Sequence, residues 1–450
     1  MLPYNKDRRQ SLGGMNMTWN ELLNIILIIY IVLLGICAIA YVPRMRAWFY
    51  GFKKEKHLVN DKQNKIAVLI PARNESKVIV DLLNSAKEQT YPADKFDLHI
   101  IVKEENDPTI EITKKYGYDV HVIADQTCKG DALEFTLQDI LAKTPDLYDA
   151  YLVVDADCVM EKHMLEELNN ALASGRDVVQ CKKIVKNYLY GDKKSNTFAT
   201  CCNGLIWPLI DDLGNKYKSD HNITAMTIGT GIMMTSKVIK KIGGWPYRQT
   251  LTEDIEFMYD CVLQDFTCYY CGYAKIYVEE ATSLNMTNKR RTRWMTGVVD
   301  SYRLYNDRIK TKRDIYDTKE IKKNVYFTTA LQIVYVYIGL LISFIGLMLL
   351  MALGFAIFGV NLWLKCLVLA AIGFGVIYIS FGMMSWMCVL VDWKNIKLNW
   401  FKKILLAIVH PFFYMGYIRI VSKALLGKNN KGWEVIERVD FASDSKKEEK

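Results

Sequence analysis

Leu22 to Val42, "LLNIILIIYIVLLGICAIAYV", carries no charge, and it restricts this chain more than any other stretch does. A helix needs ~20 apolar residues to cross a bilayer, because only a helix or closed barrel satisfies its own backbone groups there. Lys6, Arg8 and Arg9 precede the run; Arg44, Arg46, Lys53, Lys54 and Lys56 follow it. Ala38-Ile39-Ala40 resembles a signal-peptidase site, so a cleaved signal peptide competes with an anchor. The run exceeds the ~7–15 apolar residues of such peptides, which favours an uncleaved span at 21–43 after a tail at 1–20. The basic cluster downstream assigns that side to the cytoplasm.

Apolar sequence returns near the C-terminus. The reading for 325–391 is an interfacial segment near Val325, one span within Thr329–Val360 and another over about Cys366–Val391. The linker "NLWLK", with Lys365 alone charged, suits an outside loop. Ile404–Val421 differs, with Lys402 and Lys403 before it, Lys423 and Lys428 after it, and His410-Pro411 interrupting it. Over 402–423 this reads as an interfacial or re-entrant cytosolic helix, with a third C-terminal span as the alternative. Residues 424–450 end in "SDSKKEEK" and read as a charged, disordered cytosolic tail. The net charge of +9 alone would suit nucleic acid. Here much of it flanks apolar segments, which points to membrane lipids and not to nucleic acid. The expectation is an integral protein of the cell membrane with its large interior domain in the cytoplasm. Eleven cysteines in irregular spacing read as reduced thiols.

Between the apolar ends, 51–323 reads as a soluble domain. Ile66–Ile70 stops at Pro71; Leu98–Val102 leads to Glu104 and Glu105; Tyr151–Val154 leads to Asp155 and Asp157. Helix-compatible stretches such as Ser76–Gln89 and Asp131–Leu141 lie between. Buried strand, polar loop and helix in alternation predict an α/β fold with a mostly parallel central sheet. Ligands bind such sheets outside the carboxyl ends of the strands, so the polar clusters should converge. Asp155-Ala156-Asp157 directly after a strand offers two carboxylates of the kind that hold Mg2+ or Mn2+. A third acidic cluster, "QTLTEDIEF" (Gln249–Phe257), has the composition of a helix start, with Thr252 as N-cap and acids in the first turn.

Seven segments in order ("IPARNES", "CKGDALEF", "VVDADC", "VVQCKK", "IGTGIMM", "TEDIEF" and "RRTRW") resemble the membrane-integrated inverting glycosyltransferases of family 2. That group includes cellulose, chitin, hyaluronan and poly-N-acetylglucosamine synthases. The match covers roughly Lys65 to Trp294. It implies a GT-A nucleotide-sugar-binding fold, a UDP-sugar donor and a Mg2+ or Mn2+ ion. By position it places Pro71, Ala72, Arg73 and Glu75 at the nucleotide, Glu104 and Glu105 where the family has an Asp pair reading the base, and Lys129 near the diphosphate. Asp157 becomes the metal ligand, with Asp155 beside the metal and ribose. Gln180 and the loop Gly229-Thr230-Gly231 fall near the acceptor. Asp254 matches the general base and Glu253 a supporting acid.

Arg290, Arg291, Arg293 and Trp294 occupy the last motif, where processive members have Gln-x-x-Arg-Trp. Arg293 and Trp294 match that pattern, and the resemblance implies contact with the diphosphate and stacking on an acceptor sugar. Arg290 puts a fixed cation where the family has a neutral amide, which puts processivity in doubt. The implied function is transfer of a sugar to a growing β-linked polysaccharide. The alternative is a single transfer to a lipid or lipid-linked acceptor. A non-catalytic scaffold or nucleotide-sugar sensor is the reading outside enzymes. Three or four spans are few for an export channel, so a homo-oligomer or an export partner is a further expectation.

Overall fold

In the computed structural model, which describes residues 17–426 apart from 191–194, 317–318 and 329, the short apolar runs become strands of one sheet. The strands are β1 (Ile66–Pro71), β2 (Phe96–Val102), β3 (Asp119–Val122), β4 (Ala150–Val153), β5 (Val159–Met160), β6 (Val178–Val185), β7 (Ile232–Thr235) and β8 (Cys268–Val278). Their order across the sheet is β3-β2-β1-β4-β7-β6-β8-β5. The first four in that order run parallel. β7 is antiparallel to both β4 and β6, β8 is parallel to β6, and β5 is antiparallel to β8. The sheet is thus parallel in one half and mixed in the other.

Alternation along β1 explains why its run is apolar throughout. Ile66, Val68 and Ile70 enter one core with Leu82 and Leu83 of the helix Ile79–Lys87 and Leu168 of the helix Met164–Ala173. Ala67 and Leu69 enter the other with Leu133 and Leu137 of the helix Lys129–Lys143 and Phe257 of the helix Glu253–Leu263. A strand covered on both faces has no polar side, as in parallel sheets generally. All eleven cysteines are free.

The chain divides into two compact units, one of residues up to Arg46 with Tyr326–Met383, the other of Ala47–Val325 with the chain from Met384 onward. Among the described residues, four helices are long and apolar enough to cross a membrane: Trp19–Tyr50, Val334–Ile357, Trp363–Val391 and Trp400–Leu426. Within the first unit, Leu23, Phe344, Met348, Ala352 and Cys366 form one buried cluster. Lys365 belongs to the helix Trp363–Val391, and its ammonium reaches Asn20 Oδ1 at 2.7 Å and Asn24 Oδ1 at 3.2 Å.

In the second unit, Trp400–Leu426 is one continuous helix, although His410-Pro411 reads as a break. A proline removes a backbone donor and crowds the preceding turn. Tertiary contacts outweigh that here: His410 is fully buried between Ser385 Oγ at 2.8 Å and the Cys202 carbonyl at 3.1 Å, and Leu406 and Ala407 join the sheet's core. The tails expected at 1–20 and 424–450 lie outside the described residues, apart from 17–20 and 424–426.

Candidate active site

The exits of β1 and β4, the start of the helix Lys129–Lys143, the loop 228–230, the start of the helix Glu253–Leu263 and part of the helix Leu284–Tyr316 enclose one cavity of about 230 Å3. Lys129 lines it. Its ammonium is 2.7 Å from Asp155 Oδ1 and 3.3 Å from Glu253 Oε1, and donates to the Gly229 carbonyl at 2.6 Å. Burial alone would make it a weaker cation, but Asp155 and Glu253 raise its pKa above the ordinary lysine range. The position is fixed from behind. A Cβ on Gly130 would lie 2.1 Å from the Tyr247 carbonyl oxygen, so only glycine lets the helix start this close. The free N–H groups and dipole at such a start favour an anion.

Asp254 is buried at the second position of its helix and accepts from Gly229 N at 2.5 Å and Ile255 N at 2.9 Å. Burial, and then the charge of Glu253, push its pKa up to about 7, against the opposing pull of Lys129. Thr252 stands at the N-cap position without capping; its hydroxyl meets Ser301 Oγ at 3.1 Å. Glu256 instead takes Thr250 N at 2.6 Å and folds the preceding turn back on the helix. The three acids of "TEDIEF" therefore have separate jobs: a cation partner, a pocket carboxylate and a brace.

Twelve of the expected residues line the cavity: Pro71, Ala72, Arg73, Glu75, Lys129, Asp155, Gly229, Thr230, Glu253, Asp254, Arg293 and Trp294. The others stand behind or beside it. Glu104 pairs with Arg73 at 3.0 Å and Glu105 is exposed. Gln180 is fully buried, accepts from Ile228 N at 2.8 Å and donates to Thr230 O at 2.9 Å, so it holds the loop that carries Gly229. Gly231 has φ 70° and packs on Cys181. Arg290 lies over the Trp294 ring at 4.5 Å and donates to the Glu279 carbonyl at 2.8 Å. Arg291 turns the other way, to the Asn203 carbonyl and the Tyr417 ring.

Asp155, Asp157 and Cys158 place their ligand atoms within 4.8 Å of one another. Two carboxylates fit a hard divalent cation. The Cys158 thiol is a soft ligand that suits such a cation poorly, and it donates instead to Asp157 Oδ1 at 3.6 Å.

Sequence reasoning passed over Asp107, Lys183 and Trp207. Asp107 accepts from Asn74 N at 2.7 Å and Thr109 N at 2.8 Å, and so fixes the left-handed Asn74 (φ 58°) at the exit of β1. Its signal was present, since Asp-Pro-Thr is an N-cap followed by proline. Lys183 and Trp207 both line the cavity; Lys183 closes the segment "VVQCKK", from which only Gln180 was singled out, and nothing in the spacing marks Trp207.

The profile of the family described as glycosyltransferase like family 2 matches residues 63–297, over half of the chain and the whole set of elements around this cavity. The chain belongs to glycosyltransferase family 2. Its family 2 domain is similar to a Bacillus subtilis (strain 168) protein described as the probable glycosyltransferase YdaM, at 25% identity over 264 residues. That match takes in 56% of this chain and 60% of the relative, so the chain spans under two thirds of that relative's length. Among solved structures, a mannosyltransferase from Pyrobaculum calidifontis in complex with GDP-Man and Mn2+ superposes with a TM-score of 0.52 at 14% identity, over 89% of this chain and 99% of that one. The shared fold is GT-A.

Proposed function

We propose that the chain is a membrane-bound inverting glycosyltransferase that moves a sugar from a UDP-sugar to the hydroxyl of a growing β-linked polysaccharide. The observation that carries this reading is Asp254, a buried carboxylate in the same cavity as Lys129 and Asp155. An acceptor hydroxyl attacking the anomeric carbon must lose a proton. Asp254 is within reach of the cavity and takes it, while the backbone of Gly229 and Ile255 holds both carboxylate oxygens in place. Attack from the side opposite the departing diphosphate inverts the anomeric centre. Lys129 and the helix start behind it balance the charge that the leaving diphosphate gains. Asp155 and Asp157 would hold a Mg2+ or Mn2+ ion, which supplies further positive charge to that diphosphate when bound. The similar mannosyltransferase fold holds GDP-Man and Mn2+. Arg73 and Glu75, braced by Asp107, face the nucleotide end.

We place the catalytic domain in the cytoplasm of a cell-membrane protein, on the side of Arg44, Arg46 and the lysines after them. The helix Trp400–Leu426 is best read as interfacial, since it shares a core with the sheet. A second reading, single transfer to a lipid or lipid-linked acceptor, draws on Arg290, whose cation is engaged with Trp294 where processive members have glutamine.

The test is a donor screen on the full-length protein in detergent, following nucleotide release with and without Mn2+ or Mg2+. The expected result is metal-dependent release from UDP-sugars that disappears in Asp254→Asn. Donor binding without turnover across the screen would replace this reading with that of a sensor. Product length by mass spectrometry separates polymer extension from single transfer.

A further inference from the structure

Lys183 is 1% exposed, lines the cavity, and its ammonium makes no hydrogen bond. Its neighbour Lys182 shows the usual solution for a buried cation, pairing with Asp212 at 2.6 Å and Asp392 at 3.5 Å. Strand alternation sends the two side chains to opposite faces of β6. Asp211 does not pair with the Lys183 ammonium through a hydrogen bond; its Oδ2 accepts from the Lys183 backbone N–H at 2.9 Å. What the ammonium does have is the Trp207 ring at 5.6 Å, and Trp207 meets Trp294 edge-on at 6.1 Å. Buried Asp211 offsets the charge without a hydrogen bond, so the N–H donors of the ammonium stay unmet, and a cation–π contact at this distance compensates little of that. Those unmet N–H donors can be satisfied by an oxygen of whatever occupies the cavity, and a charged oxygen makes the stronger hydrogen bond.

The position separates this cation from the donor end. The diphosphate already has Lys129 and the carboxylates for a metal on the exits of β1 and β4. Lys183 stands on β6, three residues and about 10 Å of strand beyond Gln180, which holds the loop of Gly229 against Asp254. It is therefore grouped with Trp207 and Trp294, which line the same cavity. We propose that Lys183 is a specificity-determining contact for the acceptor, binding an anionic group, a phosphate or a carboxylate, carried by the molecule that receives the sugar. This rests on the proposed glycosyltransferase reading and narrows its acceptor class. Two sources supply that chemistry: the phosphate of a lipid-linked acceptor and the carboxylate of an acidic sugar.

The experiment uses the full-length protein in neutral detergent, saturated with UDP and Mg2+. Dodecyl phosphate, dodecyl glucuronide and dodecyl glucoside are titrated calorimetrically into the wild type, Lys183→Met and Lys183→Arg. At least one anionic probe should bind the wild type more tightly than the glucoside. Lys183→Met should weaken that probe about 10- to 100-fold, the range of one hydrogen bond to a charged group. Lys183→Arg should restore part of it, and UDP affinity should be equal in all three. Which anionic probe responds identifies the source. Equal loss for the neutral glucoside, or loss of UDP affinity in Lys183→Met, would overturn the proposal, the second by making Lys183 a diphosphate contact. Charge-dependent binding through Lys183 in a protein that turns over no donor would leave this site standing and remove the transferase reading instead.

Discussion

At the scale of single residues the site depends on how one charge sets another. Asp254 acts as a base only when ionised, and with a pKa near 7 its charge is present above neutrality and lost as pH falls. The turnover rate at saturating substrate should therefore drop about tenfold per pH unit below that inflection, a steady-state pH profile being the measurement. Lys129 pulls the Asp254 pKa down. Replacing it as Lys129→Met should move the inflection to higher pH and also raise the donor KM; an unmoved inflection would show that the two charges do not communicate in the working enzyme. Asp254→Asn should cut turnover by about 10^2- to 10^4-fold while UDP binding persists. The legibility of these residues in the sequence was uneven. Asp155, Lys129, Glu253 and Asp254 stand in motifs whose carboxylates and cation had no other evident task. Lys183 stood in the motif "VVQCKK" without a role and Trp207 stood in none, because an ammonium that lacks a hydrogen-bond acceptor has no sequence pattern. Gln180 was legible as a site residue but for another role, since its amide serves the loop and not the cavity.

Elements meet here through glycines that leave no room for a side chain. Gly130→Ala would set a Cβ against the Tyr247 carbonyl, at 2.1 Å. The helix Lys129–Lys143 would have to retreat, and overpacking of this kind costs about 1–3 kcal/mol. We expect a lower thermal midpoint by differential scanning fluorimetry together with a raised donor KM, because Lys129 moves with the helix. Gly231→Ala is the sharper case, with φ 70° and Cys181 Sγ 1.9 Å from the added carbon. It should cost activity through the loop 228–230 as well as stability. The strands β1, β2 and β4 were legible as apolar runs ending in charge. β7 and β5 were not: a run of four residues and one of two carry no periodicity that separates strand from loop. Nor could the continuous helix through Pro411 be read locally, since the contacts of His410 that sustain it reach back to residues far away in the chain.

For the whole molecule, the proposed topology has a direct consequence for labelling. Asn361→Cys, between two apolar helices, should react with a membrane-impermeant maleimide on intact cells, with the unaltered protein as background. Glu88→Cys, exposed on the domain surface, should react only after lysis. The reverse pattern would place the catalytic domain outside the cell, away from cytoplasmic nucleotide sugars. Chelation with EDTA should abolish nucleotide release, and added Mn2+ or Mg2+ should restore it. The order β3-β2-β1-β4-β7-β6-β8-β5 divides the work of the cavity along a line between β4 and β7. On the proposed reading, what is consumed rests on the strands of one half and what is built upon rests on β6 and the chain that follows it. Away from the contacts of Lys129 with Glu253 and Gly229, which cross that line, substitutions on one half can then accumulate with little effect on the other. A lineage carrying this sheet can change its product while keeping its fuel.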